Sequence, residues 1–195
     1  MKALSILAVS VSLFAQASFA NMISYHVVLD GPSESPANVS PGTGSGTVII
    51  DDVLNTMSLH LDFTGLFGTT RASHIHCCTA VPGVFNASVA TRTPSFAGFP
   101  LFVTSGTFNS VLDLTLADSF NPSYFAANGG TPPNAEAALL AGIGAGRAYW
   151  NVHSSTFPGG EIRGFLVADA PEPGTIALAA SALFGLALMR RRSKG

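Results

Sequence analysis

Two histidines separated by one residue, His74 and His76, are the groups in this chain best suited to bind a metal ion. Side chains alternate between the faces of an extended strand, so both imidazoles project from the same face and can converge on one ion. His153 joins them if its own strand pairs with theirs or faces it at one rim. Three neutral imidazoles suit Zn or Cu, and Glu161 is a candidate for the fourth ligand or for the acceptor that fixes a ring tautomer.

The segment that carries His153 and Glu161 is a predicted β-hairpin over residues 149–164, Tyr-Trp-Asn-Val-His-Ser-Ser-Thr-Phe-Pro-Gly-Gly-Glu-Ile-Arg-Gly. Alternating apolar and aromatic residues flank a cluster of turn formers, which is typical of two strands joined by a Pro-Gly-Gly turn. Tyr149, Asn151 and His153 share one face of the first strand. Glu161 shares a face of the second strand with Arg163.

A structural role is the alternative for the same groups. In that interpretation the histidines and the Glu161/Arg163 pair hydrogen-bond to one another and pin the hairpin to a neighbouring strand. A half-buried ion pair is weak evidence of function, because its desolvation often cancels its attraction. An organic ligand or a protein partner is a third option. The chain has no Gly-x-Ser-x-Gly or His-Glu-x-x-His motif, so no catalytic residue is assigned and we expect a protein without enzymatic activity.

The composition favours strands and turns over helices. Only 10% of the residues are charged, and the chain has 20 Gly and 12 Pro. Alternation is clearest over residues 56–63, and seven or eight such strands predict one all-β domain, an antiparallel β-sandwich of the Greek-key, immunoglobulin-like or Cu,Zn superoxide dismutase-like kind. Residues 134–140 are the single predicted helix, which ends at Gly142, and residues 121–133 are a predicted connection rich in Pro and Gly.

The charge distribution argues against a nucleic-acid partner. Between residues 21 and 168 the chain has four arginines, no lysine and nine acidic residues. Phosphate binding requires a basic face, which this excess of carboxylates does not provide.

The first 20 residues are typical of a secretory signal peptide. Lys2 precedes an apolar run over residues 3–14, and Ala17 and Ala20 offer two cleavage positions. We therefore expect export through the Sec translocon and a domain, residues 21–168, that folds outside the cytoplasm.

Residues 169–195 combine a Pro-Glu-Pro motif, an apolar helix over about residues 174–189 and an arginine-rich tail over residues 190–195. The helix is short for a membrane span, which takes ~20 residues, although flanking residues can extend it. The positive-inside rule predicts a cytoplasmic tail and thus an exported domain ahead of it. The motif and the arginine cluster consist of Pro171, Glu172, Pro173, Arg190, Arg191 and Arg192.

Cys77 and Cys78 directly follow His76. Free thiols are unusual outside the cytoplasm, but consecutive Cα atoms lie ~3.8 Å apart, which is closer than the ~4.4–6.8 Å usual for a disulfide. We predict a vicinal disulfide that acts as a rigid turn. The alternatives are thiolate ligation of a metal shared with His74 and His76, and a disulfide to another molecule.

Together the histidine segment and the hairpin resemble the CHRD domain, the module named after chordin. The resemblance is carried by His-Ile-His at 74–76, Tyr-x-Asn-Val-His at 149–153 and Gly-Glu-Ile-Arg-Gly at 160–164, with Leu-Asp-Gly at 29–31, Glu34 and two glycines at 44 and 46 in the opening part. It covers roughly residues 25–167 and implies a β-sandwich. The residues of the closing motif are Tyr149, Asn151, Gly160, Glu161, Ile162, Arg163 and Gly164. In animals this module belongs to an extracellular antagonist of growth factors, but function does not follow from a fold.

The C-terminal tail resembles the PEP-CTERM sorting signal of Gram-negative bacteria. This resemblance implies an inner-membrane-anchored precursor that an exosortase, a membrane cysteine protease, processes near the motif and passes to the cell surface or the extracellular matrix. A plain membrane anchor is the alternative.

Two functional hypotheses follow from these patterns. The first is a non-enzymatic binding or structural component of the envelope or exopolysaccharide matrix, with matrix polysaccharides or surface proteins as partners. The second is an envelope protein that binds Zn or Cu at His74, His76 and His153, with redox activity as an option. The His-x-His pair also resembles the start of the metal site in Cu,Zn superoxide dismutase, but the chain lacks a recognisable bridging histidine and an acidic metal-binding loop.

Overall fold

The computed structural model describes residues 22–169. The predicted signal peptide, the Pro-Glu-Pro motif, the apolar helix over about 174–189 and the arginine cluster lie outside the described residues. Within the part that is described, no helix is both long and apolar enough to cross a membrane.

The described chain folds into eight strands and two α-helices, with a short 3₁₀ turn at Ala117–Ser119. The strands are β1 (Met22–Asp30), β2 (Thr43–Asp51), β3 (Thr56–Thr64), β4 (Thr70–His76), β5 (Gly106–Asp113), β6 (Tyr149–Ser154), β7 (Ile162–Phe165) and β8 (Val167–Ala168). The helices are α1 (Pro122–Ala127) and α2 (Pro132–Gly144). The protein is thus mostly β, as its composition predicts.

All eight strands belong to one antiparallel sheet. Its order is β4-β6-β7-β1-β2-β3-β5, and β8 pairs with β1 beyond the end of β7. The prediction of two separate facing sheets is corrected here, because β1 pairs with β2 on one side and with β7 and β8 on the other and so keeps the hydrogen bonding continuous. The sheet curls, and the start of β4 meets the connection that leads into β5, where Thr70 exchanges backbone hydrogen bonds with Phe102 and Val103.

The curl brings the inner faces of opposite strands together around an aromatic core. Trp150 on β6 is fully buried and lies edge-to-face with Phe108 on β5, their ring centroids 6.4 Å apart. Phe96 packs against both rings. The alternation over 56–63 is confirmed, since its four apolar side chains are at most 3% exposed. Burying a large apolar side chain contributes about 1.5–3 kcal/mol, so these contacts are a main source of stability.

The helical predictions need two corrections. The predicted connection over residues 121–133 contains α1, which begins with Pro122 after Asn121, whose side chain accepts a hydrogen bond from the Ser123 N–H. Proline costs no hydrogen bond in a first helical turn, so its presence does not exclude a helix. The second helix continues past Gly142 to Gly144, because Gly142 serves packing inside the helix and does not terminate it.

A long connection between β4 and β5 covers the outer edge of β4. The Ala90 and Thr91 N–H groups both donate to the Ile75 carbonyl, and the Phe96 N–H donates to the Ser73 carbonyl. Residues 77–105 therefore fold back on the sheet, and several of their carbonyls reach the polar face of β4 and β6.

Candidate metal centre

The three predicted histidines lie together on one face of the sheet. Strands β4 and β6 pair with Ala72 opposite His153 and His74 opposite Asn151, so His153 lies beside His74. The ring centroids are 5.2 Å apart for His74 and His153, 5.7 Å for His76 and His153, and 5.8 Å for His74 and His76. One nitrogen from each ring lies within 4.8 Å of the others, so a small movement of the rings would let all three reach one metal ion.

Each ring donates one N–H to a backbone carbonyl, which fixes its tautomer. The Nε2 of His74 lies 2.6 Å from the Pro94 carbonyl oxygen, the Nδ1 of His76 lies 2.9 Å from that of Ala87, and the Nδ1 of His153 lies 2.9 Å from that of Pro158. A carbonyl only accepts, so the proton is on the nitrogen that faces it. The lone pairs are therefore on His74 Nδ1, His76 Nε2 and His153 Nε2.

Those three nitrogens are buried and have no hydrogen-bond partner among the described residues. A buried polar atom without a partner costs about 1–3 kcal/mol, and here three such acceptors converge. Metal-bound histidines almost always donate their other N–H to a carbonyl or a carboxylate, which is the arrangement at all three rings. The cluster thus resembles a binding site for a transition metal ion more than it resembles a closed network of hydrogen-bonded polar groups.

The rings are neutral at physiological pH. Burial lowers the pKa of His74 and of His76 to about 4, although the carbonyl hydrogen bonds oppose this effect. Burial also lowers the pKa of His153. Neutral imidazole is the form that coordinates a metal, so the site is ready to bind without losing a proton.

Glu161 does not lie at this cluster, contrary to its predicted role as fourth ligand or tautomer-fixing acceptor. Its fully buried carboxylate accepts hydrogen bonds from the Ser40 hydroxyl and from the N–H groups of Phe67 and Gly68. Those donors lie in the connections that follow β1 and β3, so Glu161 joins loops and contributes no ligand.

Comparison with known families agrees with the motifs from which this site was built. The family model described as CHRD domain matches residues 25–166. The chain belongs to the CHRD domain family. A second model, described as the PEP-CTERM protein-sorting motif, matches residues 169–192, so both predicted resemblances are confirmed. No curated protein and no solved structure matches the chain.

Arg163, in the closing motif of this CHRD domain, interacts with Glu34. The predicted pair of Arg163 with Glu161 does not form. The Arg163 Nε lies 3.9 Å from a Glu34 carboxylate oxygen, and the guanidinium also donates to the Ser33 carbonyl and to the Asn86 side chain. It lies over the Tyr149 ring, 4.7 Å from the centroid. Arg163 therefore joins β7 to the loops on either side, and Tyr149 connects this network to the histidine cluster by stacking on His76, with ring centroids 4.8 Å apart.

The remaining motif residues act through packing. Ile162 is fully buried in the core, and Asn151 is buried next to Glu34 and Gly160. Gly160 adopts φ 136°, and Gly164 approaches the Val28 carbonyl so closely that a Cβ would overlap it. Both positions require glycine for these reasons.

Cys77 and Cys78 form a disulfide in the CHRD domain. The two sulfurs pack against Gly142 of α2, where any Cβ would overlap both of them. A disulfide sulfur is not a thiolate, so the disulfide argues against the alternative in which Cys77 or Cys78 shares a metal with His74 and His76.

Sequence patterns did not identify the backbone carbonyls that orient the imidazole rings, and they did not indicate the raised pKa of Glu34. Ala87, Pro94 and Pro158 are in irregular segments, where no periodicity indicates which carbonyl faces which side chain. Glu34 is buried 3.9 Å from the nearest Arg163 nitrogen, a distance too long for a strong pair. Burial therefore outweighs the attraction to Arg163 and raises the pKa of Glu34 from 4.5 to about 7.

The raised pKa of Glu34 predicts a pH-dependent stability term that Glu34→Gln removes. The folded state holds this proton more tightly than the unfolded chain, so the term is fully present below pH 4.5 and is lost as pH rises through about 7. The parent loses this stability as pH rises, whereas Glu34→Gln does not. The free energy of unfolding of the variant minus that of the parent should therefore increase by about 2–3 kcal/mol across this range. Urea unfolding with EDTA from pH 4.5 to 7.5 measures it, and the histidines contribute equally to both proteins.

Asp118→Asn is the matched control, because this carboxylate is 84% exposed and its variant should show no such change. A difference between Glu34→Gln and the parent that stays constant with pH contradicts the prediction.

Proposed function

We propose that this protein is a non-enzymatic CHRD-domain component of the cell surface or extracellular matrix that binds one Zn or Cu ion through His74, His76 and His153. Two observations carry the proposal: a possible ligand atom of each ring lies within 4.8 Å of those of the other two, and each ring has one buried nitrogen without a hydrogen-bond partner among the described residues. Three imidazoles of fixed tautomer are a common protein contribution to a Zn or Cu site.

The structural alternative accounts less well for the same rings. A latch made of histidines gains stability when the rings hydrogen-bond to one another or to the neighbouring strand. Here each ring donates its single N–H to a carbonyl outside the cluster, and its other nitrogen is buried without a hydrogen-bond partner among the described residues. Three converging acceptors repel one another, and a cation between them converts that repulsion into attraction.

The sorting motif supports the cellular part of the proposal. The PEP-CTERM match implies an exported protein with a membrane-anchored precursor that is processed by an exosortase. We place the processed protein at the surface or in the matrix, where matrix polysaccharides and surface proteins are its candidate partners. The metal ion would then be taken from outside the cytoplasm.

Elemental analysis of the purified full-length protein, made without a metal-binding tag, tests the metal site. We expect about one Zn or Cu per chain, and loss of that metal in His74→Ala/His153→Ala. The matched control is His60→Ala, because His60 is on β3, outside the cluster, and bonds to Asn109 at 2.8 Å. That variant should keep its metal.

A folded parent protein that stays metal-free after exposure to Zn²⁺ and Cu²⁺ contradicts the proposal. If the double variant of such a protein also loses stability, the histidines are a structural latch. Near-ultraviolet circular dichroism confirms that each protein is folded.

A further inference from the structure

A cavity of about 490 Å³ borders the histidine cluster. His74 and His153 form part of its lining, and the other polar side chains that line it are Arg71, Ser154 and Ser155. No carboxylate is among the residues that line it, although acidic residues outnumber basic ones in this chain. The cavity therefore presents one positive side chain beside two of the three imidazoles.

A β-bulge explains why Arg71 faces this cavity. Thr70 pairs with Ser154 and Ala72 pairs with His153, so two steps along β4 match one step along β6 and Arg71 is the extra residue. Regular alternation would direct Arg71 to the opposite face from Ala72 and His74. A bulge breaks that alternation and re-aims the side chain, a device that is frequent beside functional sites.

The guanidinium of Arg71 is held in place without an anionic partner. It lies over the Phe102 ring, 4.9 Å from the centroid, and makes no ion pair within residues 22–169. The three other arginines of this region are engaged: Arg92 with Asp118, Arg147 with the Thr79 carbonyl and Arg163 with Glu34. Arg71 and Arg147 therefore lack a carboxylate partner among the described residues, and of the two only Arg71 lines this cavity.

Three imidazoles leave at least one coordination position of Zn or Cu open. Zn²⁺ and Cu²⁺ take four or more ligands, and within residues 22–169 no carboxylate or thiolate joins the three histidines. A ligand from outside these residues, a water molecule or an anion among them, therefore completes the site.

We propose that the open position takes a small monoanion, such as a carboxylate, which coordinates the metal ion from this cavity while Arg71 supplies the countercharge. This inference rests on the metal site proposed above. It assigns Arg71 a role in selecting the ligand and no role in holding the metal.

Azide binding to the Cu²⁺-loaded full-length protein tests the anion site. Azide is a small monoanion, and its coordination to Cu²⁺ gives a charge-transfer absorbance band that can be titrated. We expect Arg71→Gln to keep one Cu²⁺ per chain but to bind azide about tenfold more weakly, because a charge-assisted contact is lost. Arg71→Lys should recover part of that affinity.

The matched control is Arg92→Gln, which removes the same charge from the surface pair with Asp118, outside the cavity lining. Its azide affinity should equal that of the parent. Equal affinities in Arg71→Gln and the parent overturn the anion site while the metal site stands, and so does loss of Cu²⁺ from Arg71→Gln. Failure of the parent to load either Cu²⁺ or Zn²⁺ overturns both proposals.

Discussion

Adding Zn²⁺ to the metal-free protein is expected to raise its free energy of unfolding by about 4 kcal/mol when the free ion exceeds its Kd a thousand-fold. The expectation follows from the distance between the ligands in sequence. His76 and His153 belong to strands that meet only in the folded sheet, so the unfolded chain offers no comparable site. Thermal unfolding at a series of Zn²⁺ concentrations measures this, and the midpoint should keep rising with concentration.

Three controls separate this effect from general ion binding. His76→Ala should lose the dependence on Zn²⁺, while His60→Ala should retain it because its ring is outside the cluster. Mg²⁺ should leave the midpoint unchanged, since this ion prefers oxygen ligands. A midpoint that Zn²⁺ raises equally in the parent and in His76→Ala contradicts binding at the cluster.

Replacing Glu161 with alanine is expected to lower the free energy of unfolding by about 3–5 kcal/mol. Its buried carboxylate is the shared acceptor for the Ser40 hydroxyl and for two backbone N–H groups, at Phe67 and Gly68. Alanine leaves all three donors without an acceptor in a region that excludes water. Chemical denaturation of the metal-free variant and parent measures the loss.

The matched control is Glu136→Ala on α2. Glu136 is also buried, but no hydrogen bond from residues 22–169 reaches its carboxylate, and alanine is favoured in helices, so we expect a change within about 1 kcal/mol. Because Glu161 is not a ligand, folded Glu161→Ala should still bind metal. Loss of metal from a folded Glu161→Ala protein would restore the role that the sequence first indicated.

The sequence predicted which face each histidine occupies but not which strands are neighbours. Alternation is local, so His-Ile-His was enough to place His74 and His76 on one side of a strand. The pairing of β4 with β6 depends on contacts between residues that are more than 70 positions apart. Local patterns do not specify such contacts, so this pairing was only a condition attached to the predicted metal site. The same limitation explains why one curled sheet was predicted as two.

Glu161 shows where residue type alone misleads. A carboxylate near three histidines in sequence motifs is a reasonable metal ligand, and its chemistry is right for the task. Its actual partners include two backbone N–H groups in a Gly-containing connection, and backbone groups have no signature in the sequence. The ring-orienting carbonyls of Ala87, Pro94 and Pro158 were missed for the same reason.

The central place of β1 in the sheet determines when this domain can complete its fold during export. β1 is the first strand of the described chain, yet Asp30 pairs with Arg163 and Tyr25 pairs with Ala168. An exported chain that emerges N-terminus first exposes one side of β1 until the last strands have crossed the membrane. Pairing over such a separation is slow to form. The unpaired edge of β1 therefore needs protection from aggregation during this interval. β8 ends at Ala168 and the matched sorting motif begins at residue 169, so the strand that completes the sheet emerges immediately before the sorting motif.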